Sequence, residues 1–141
     1  MSVAFRKVNR KVLAGPEKDT VKVYAQAHSL GHSTLEKLCN LISARSAISA
    51  ADVKSVLDSL NWVFDLELRD GRIVQLGDLG SFRISLSSNG ADTEEEFNAG
   101  FIRKSRLIFQ PGKVLRDMLS EITYTPLPVV EVEANDEETG G

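Results

Sequence analysis

Two stretches of the chain concentrate cations and contain no acid: residues 1–11, with Arg6, Lys7, Arg10 and Lys11, and residues 98–116, with Arg103, Lys104, Arg106, Lys113 and Arg116. Cations without local carboxylate partners project a positive field, and a phosphate backbone is its natural counterpart. The net charge of −3 and a pI near 5.4 argue against binding driven by charge alone. That average hides a polarity. From Leu127 onward there are five acids (Glu131, Glu133, Asp136, Glu137, Glu138) and no base, and with those set aside 17 bases face 15 of the 20 acids.

Other chemistries find little support. Cys39 falls in an apolar helical stripe, so it reads as a small core hydrophobe rather than a nucleophile. His28 and His32 bracket Leu30-Gly31 with no third ligand nearby, so no metal site is expected. Gly77, Asp78 and Gly80 superficially suggest a phosphate loop, but no Gly-Lys-Ser/Thr follows. Glu94, Glu95 and Glu96 read as a solvated charge run rather than an acid–base pair. No catalytic constellation emerges, so the chain is expected not to be an enzyme, with no cofactor and no small-molecule substrate.

Composition bounds the rest. Hydrophobic content of 42% and charged content of 26% are those of a globular protein. One cysteine allows no intramolecular disulfide, and no apolar run approaches the roughly 20 residues of a membrane span. The expected location is a reducing cytoplasm.

Positioning elements follow from periodicity. Residues 3–8 and 21–27 alternate as strands around the breaker cluster 14–19. Ser33 with Glu36 reads as a capping box, and Leu35, Leu38, Cys39 and Ile42 make an apolar stripe behind it. Ser49 and Asp52 signal a second helix with the stripe Val53, Val56, Leu57, Leu60 and Phe64, stopped at Asp70-Gly71. Residues 72–76 read as a strand. Residues 81–87 alternate, with Phe82, Ile84 and Leu86 opposite Arg83, Ser85 and Ser87. Residues 88–96 form a polar tip, and 101–109 the returning strand. Pro111 is expected to open a last helix, with Leu115, Met118, Leu119 and Ile122 as its stripe. The residues beyond about 134 read as disordered.

Two segments carry a resemblance. Gly71-Arg72-Ile73-Val74-Gln75-Leu76 with Leu79-Gly80-Ser81-Phe82 is similar to a G-x-x-V-x-L…G-[ST]-F pattern. Phe109-Gln110-Pro111-Gly112-Lys113-Val114-Leu115-Arg116-Asp117 is similar to F-x-P-G-K-x-L-[KR]-x. Both belong to the HU/IHF family of bacterial histone-like proteins, and the region from Thr34 to Leu119 resembles it, as does the turn at residues 47–53. The chain looks like a longer HU-related branch with an N-terminal extension. The resemblance implies an α+β fold, an HU/IHF-like intertwined homodimer with two N-terminal helices, a three-stranded antiparallel sheet with a β-arm and a C-terminal helix, here joined by an N-terminal strand pair. The expected organisation is a strand extension at 1–31, the HU-like domain at 32–123, and a Pro-containing acidic tail, largely disordered, at 124–141.

By the same resemblance, the partner is double-stranded DNA, held without sequence reading by a nucleoid-associated architectural protein. Expected contacts are Arg83, Arg103, Lys104, Arg106, Lys113 and Arg116. For Arg83 a merely solvated strand charge is an equal alternative. Lys113 opposes the helix dipole, so helix stability does not explain it. Arg6, Lys7, Arg10 and Lys11 read as cations that blunt an edge strand, or as an extended footprint. Departures matter too. Phe82 to Phe109 spans 27 positions, shorter than the family's usual interval, the R-N-P-x-[TS]-G tip is absent, and no proline lies between Phe82 and Pro111. Asp92, Glu94, Glu95 and Glu96 occupy the tip and would repel phosphate. An HU-fold protein-interaction module with weak or no DNA binding is the alternative.

Overall fold

The computed structural model describes residues 1–128. In chain order its elements are β1 (Val3–Lys11), β2 (Val21–Ala27), α1 (Leu35–Arg45), α2 (Ala50–Arg69), β3 (Val74–Gln75), β4 (Gly80–Ser88), β5 (Ile102–Pro111), α3 (Lys113–Glu121) and β6 (Tyr124–Pro126). The described residues thus form an α+β chain with three α-helices and two three-stranded sheets. It divides into two compact units, Met1–His32 with the segment from Ile122 onward, and Ser33–Glu121.

The first unit is a sheet of order β2-β1-β6. β1 and β2 pair antiparallel from Phe5↔Ala27 to Lys11↔Val21, and the turn between them uses Gly15 and Asp19 at positive φ. β6 pairs parallel to β1, from Val3↔Tyr124 to Phe5↔Pro126, and the Leu127 N–H donates to Phe5 O at 2.9 Å. One expectation changes here. The region from residue 124 does not begin as structureless tail, because residues 124–126 complete backbone hydrogen bonds that β1 would otherwise leave open. β1 is paired on both sides over Val3–Phe5, whereas Arg6, Lys7, Arg10 and Lys11 lie beyond β6, where β2 alone pairs with the strand, so the expected blunting of an edge is compatible with this sheet. The expected disorder of the acidic tail falls on residues 129–141, outside the described residues.

The second unit begins with a helical hairpin. The N-cap of α1 is Thr34, whose Oγ1 accepts from the Lys37 N–H at 3.2 Å, so the cap lies one residue beyond Ser33 and Glu36 falls at the second helical position. Ser49 caps α2 as its sequence suggests, accepting from the Asp52 N–H at 3.1 Å. At the far end, Gly71 adopts φ +80°, its N–H donates to Leu68 O, and the Arg72 N–H donates to Glu67 O. That double bond closes the helix in a left-handed turn that glycine accepts without strain.

β3, β4 and β5 form the second sheet, antiparallel throughout. β3 is two residues long, shorter than the strand expected at 72–76. Pro111 closes β5 instead of opening a helix, and α3 starts two residues later at Lys113. The joint is tight. A Cβ at Gly112 would lie 2.3 Å from Asp78 O, and one at Gly80, where φ is +145°, would lie 2.4 Å from Gln110 O. The Gly112 N–H donates to Leu79 O at 2.9 Å across this approach. Only glycine lets the two backbones come so close. Phe82 sits beside it, 4.9 Å from the Phe64 ring and 4.8 Å from Phe109, tying α2 to both strands.

Gly112→Ala should therefore lower unfolding stability by roughly 2–4 kcal/mol, because backbone must move to admit the methyl group. Gly90→Ala, where a Cβ meets nothing within 4 Å, should change it by no more than about 0.5 kcal/mol. Urea midpoints at one fixed protein concentration measure both, and equal midpoints would refute the close-approach argument.

Candidate nucleic-acid interface

The register of β4 against β5 sorts the side chains of the ribbon onto two faces. Phe82↔Phe109, Ile84↔Leu107 and Leu86↔Ser105 alternate with Arg83↔Ile108, Ser85↔Arg106 and Ser87↔Lys104. Paired residues project to the same side, so Arg83, Arg106 and Lys104 share a polar face with Ser85 and Ser87. Strict alternation would send Arg103 to the apolar side. The pairing slips between Ser87 and Ser88, leaving Arg103 as an extra residue in β5. A β-bulge of this kind re-aims a side chain, and the Arg103 Nη2 donates to Ser87 Oγ at 2.9 Å. Four cations from two strands thereby come to one face.

At the foot of the ribbon, Arg116 lines a shallow groove of about 570 Å³ with Gln75, Ser81, Gln110 and Gly112. Ser81 and Gln110 pair on the same polar face as Arg83, so the groove continues that face toward α3. Lys113 behaves differently. Its Nζ lies 2.7 Å from Asp117 Oδ2, four residues on along α3. The acid just past the acid-free stretch therefore supplies a local partner, and the isolated first-turn cation expected from sequence is in fact half of an exposed intrahelical pair.

Ion pairing neutralises part of the basic surface and spares the ribbon, as it also spares Arg6, Lys7, Arg10, Lys18, Lys37, Arg45 and Lys54 among the described residues. Arg69 pairs with Asp65, Arg72 with Glu67 and Asp70, Lys11 with Asp19, and Lys22 with Glu17. Among the described residues, no carboxylate lies within ion-pair distance of Arg83, Arg103, Lys104, Arg106 or Arg116, and all five are exposed. The opposite face of the ribbon is apolar, and beyond the Phe82–Phe64 contact at its foot it is exposed among the described residues: Leu86 and Leu107 are 61% and 57% exposed. At the tip, Phe97 and Phe101 stack on each other with ring centroids 5.4 Å apart, beside the exposed acids Asp92, Glu94, Glu95 and Glu96.

Residues 1–125 match the family model HU-HIG, described as an HU domain fused to wHTH, Ig, or glycine-rich motif. The chain belongs to the HU-HIG family. No curated protein matches the sequence. Among solved structures, this HU-HIG chain is similar in fold to a protein of Bacteroides vulgatus ATCC 8482 provisionally described as a bacterial DNA-binding protein. The TM-score is 0.60 at 12% identity, over 90% of this chain and 49% of that one. The chain thus spans about half the length of that structure, and at this identity the likeness is one of fold alone. Among the described residues of the HU-HIG chain, no helix is long and apolar enough to cross a membrane.

Sequence reasoning named the cations of this face but not the devices that gather them. Ser87, which holds Arg103, and the bulge beside it were missed. The odd spacing of Arg103 against Lys104 and Arg106 was the available signal, since one strand cannot present all three on one face without a slip in register.

A double-mutant cycle on Lys113→Ala and Asp117→Ala should give a coupling of about 0.5 kcal/mol or less, because the pair is exposed and runs in the less favourable order along the helix. A markedly larger coupling, read from thermal unfolding, would mean that Asp117 holds Lys113 away from any ligand.

Proposed function

We propose that this chain binds double-stranded DNA through its phosphates as an architectural, nucleoid-associated protein of bacteria that does not read sequence. One observation carries the reading: Arg83, Arg103, Lys104 and Arg106 share one face of the β4–β5 ribbon, with Arg116 at its foot, and none has a carboxylate partner among the described residues. Such contacts neutralise phosphate and fix a duplex in place, but phosphates are alike at every base pair. Preference among sites would then come from groove width and deformability. Lys113 contributes if its exposed pair with Asp117 opens on binding. The stacked Phe97 and Phe101 supply no free wedge, which favours holding over sharp kinking of the duplex.

The reading includes a homodimer. In the described chain the only buried apolar side chains are Cys39 and Val53, while Leu41, Val56, Trp62 and Leu66 are largely exposed along the helical hairpin. A core of this size cannot offset the chain entropy of folding. A second copy laid against the hairpins and the apolar ribbon face would supply the missing burial. It would also bring a second arm, so that two arms grip one duplex and condense longer DNA.

A second reading has its own observation. The acids at the arm tip flank the aromatic pair, an arrangement suited to a basic protein partner rather than to phosphate. Gel-shift on duplex of random sequence separates the two, since an interaction module would leave the duplex unshifted.

For the DNA reading, log affinity should fall linearly with log salt, losing roughly 0.9 of slope for each phosphate contact removed. Arg103→Glu with Arg106→Glu should weaken binding at least about tenfold while the dimer stays folded. A salt-independent affinity, or an unchanged double variant, would place the site elsewhere. Sedimentation should find two chains per particle at micromolar concentration. A stable folded monomer would refute the dimer.

A further inference from the structure

The geometry points to a second DNA-backbone contact surface on the N-terminal sheet, separate from the β4–β5 ribbon. Ladder pairs Arg6↔Gln26, Val8↔Tyr24 and Arg10↔Lys22 follow one another along β1 and β2 and project to the same side. Thr125, opposite Ala4 on β6, belongs to that side as well. One face therefore presents Arg6, Arg10 and Lys22 with the amide of Gln26 and the hydroxyl of Tyr24, and no acid lies in its strands. The other side carries Phe5, Val21, Val23, Ala25 and Ala27 together with Lys7, Asn9 and Lys11. Its apolar residues call for cover and its Lys11 pairs with Asp19, so the face of Arg6, Arg10 and Lys22 is the better one for a polyanion.

Three features make it more than a solvated strand surface. Arg6 Nε and Nη2 both donate to Gln26 Oε1, at 3.2 and 3.0 Å, which holds the guanidinium against the sheet while leaving N–H groups free. Arg10 has no carboxylate within ion-pair distance among the described residues, and it stands four positions from Arg6, about 13 Å along the strand. Lys22 meets Glu17, but both partners are about half exposed, and an exposed pair of this kind contributes little and yields readily to phosphate. The described residues of this unit carry six bases (Arg6, Lys7, Arg10, Lys11, Lys18, Lys22) against two acids, Glu17 and Asp19. Asp19 pairs at 3.3 Å with Lys11, which lies on the opposite side. The ligand class is the sugar–phosphate backbone of a duplex, met by the held guanidinium of Arg6, the exposed cations Arg10 and Lys22, and flanking neutral donors. This choice of ligand rests on the proposed function, while the surface itself rests on the register of β1 and β2.

The test uses the full chain and a random-sequence duplex, titrated with salt by fluorescence anisotropy. Four proteins are compared: the natural chain, Arg10→Gln with Lys22→Gln, Arg103→Glu with Arg106→Glu, and Arg10→Lys with Lys22→Arg. If the inference holds, the glutamine variant loses about fivefold or more in affinity and about 0.9 of salt slope per lost contact. The charge-conserving variant restores both. Retained affinity and slope in the glutamine variant, alongside a loss in the arm variant, would overturn the inference and leave the arm reading intact. The reverse outcome would support the N-terminal surface and refute the arm. Failure of the charge-conserving variant to recover binding would show a fold defect rather than lost charge, and would also overturn it. A natural chain that leaves the duplex unbound would refute both.

Discussion

The register between β4 and β5 is the constraint on which the rest of the second unit depends. A slip of one residue would exchange the cationic and apolar faces along the whole ribbon. Two features at its foot hold it: the backbone approach of Gly112 to Asp78, and the direct pairing of Phe82 with Phe109. Both lie inside the segments that resemble the histone-like family. The sequence similarity therefore falls on the joint that sets the register, and not on the cations whose positions the register determines.

Charge in this protein is a matter of placement. The chain as a whole is acidic, yet several unpaired cations gather on one face of the ribbon. Arg69, Arg72, Lys11, Lys22 and Lys113 have carboxylates within reach, whereas the ribbon cations do not. A polyanion responds to the field at the face it approaches, so a negative total is compatible with a locally positive groove. Nine of the 20 acids lie at the arm tip and in the residues after Leu127, away from the acid-free stretch that holds Arg103, Lys104 and Arg106. In the same way, the small buried core reflects where apolar side chains lie. They line the hairpin and the back of the ribbon, where they are exposed.

Helix positions were legible because caps and stripes are local signals. Ser49 and Gly71 act where the sequence places them, through hydrogen bonds to residues no more than five positions away. At Ser33 the same reasoning erred by one residue, because Thr34 offers an equivalent hydroxyl and the local sequence does not choose between them. The strand content of residues 124–126 was not legible. Its partner, β1, lies more than a hundred positions earlier, and a Pro-containing exit segment carries no periodicity that would reveal a parallel neighbour.

The sequence by itself determined the family resemblance, the order of elements as far as α3, and which residues carry positive charge, because these follow from residue type and short spacing. Tertiary structure alone decided which charges share a face. Arg103 joins its neighbours through a bulge, and Arg6 and Arg10 meet Gln26 and Lys22 through a ladder spanning a turn. Each of these depends on how distant backbone groups pair, and pairing is settled by the whole sheet rather than by any short stretch of sequence.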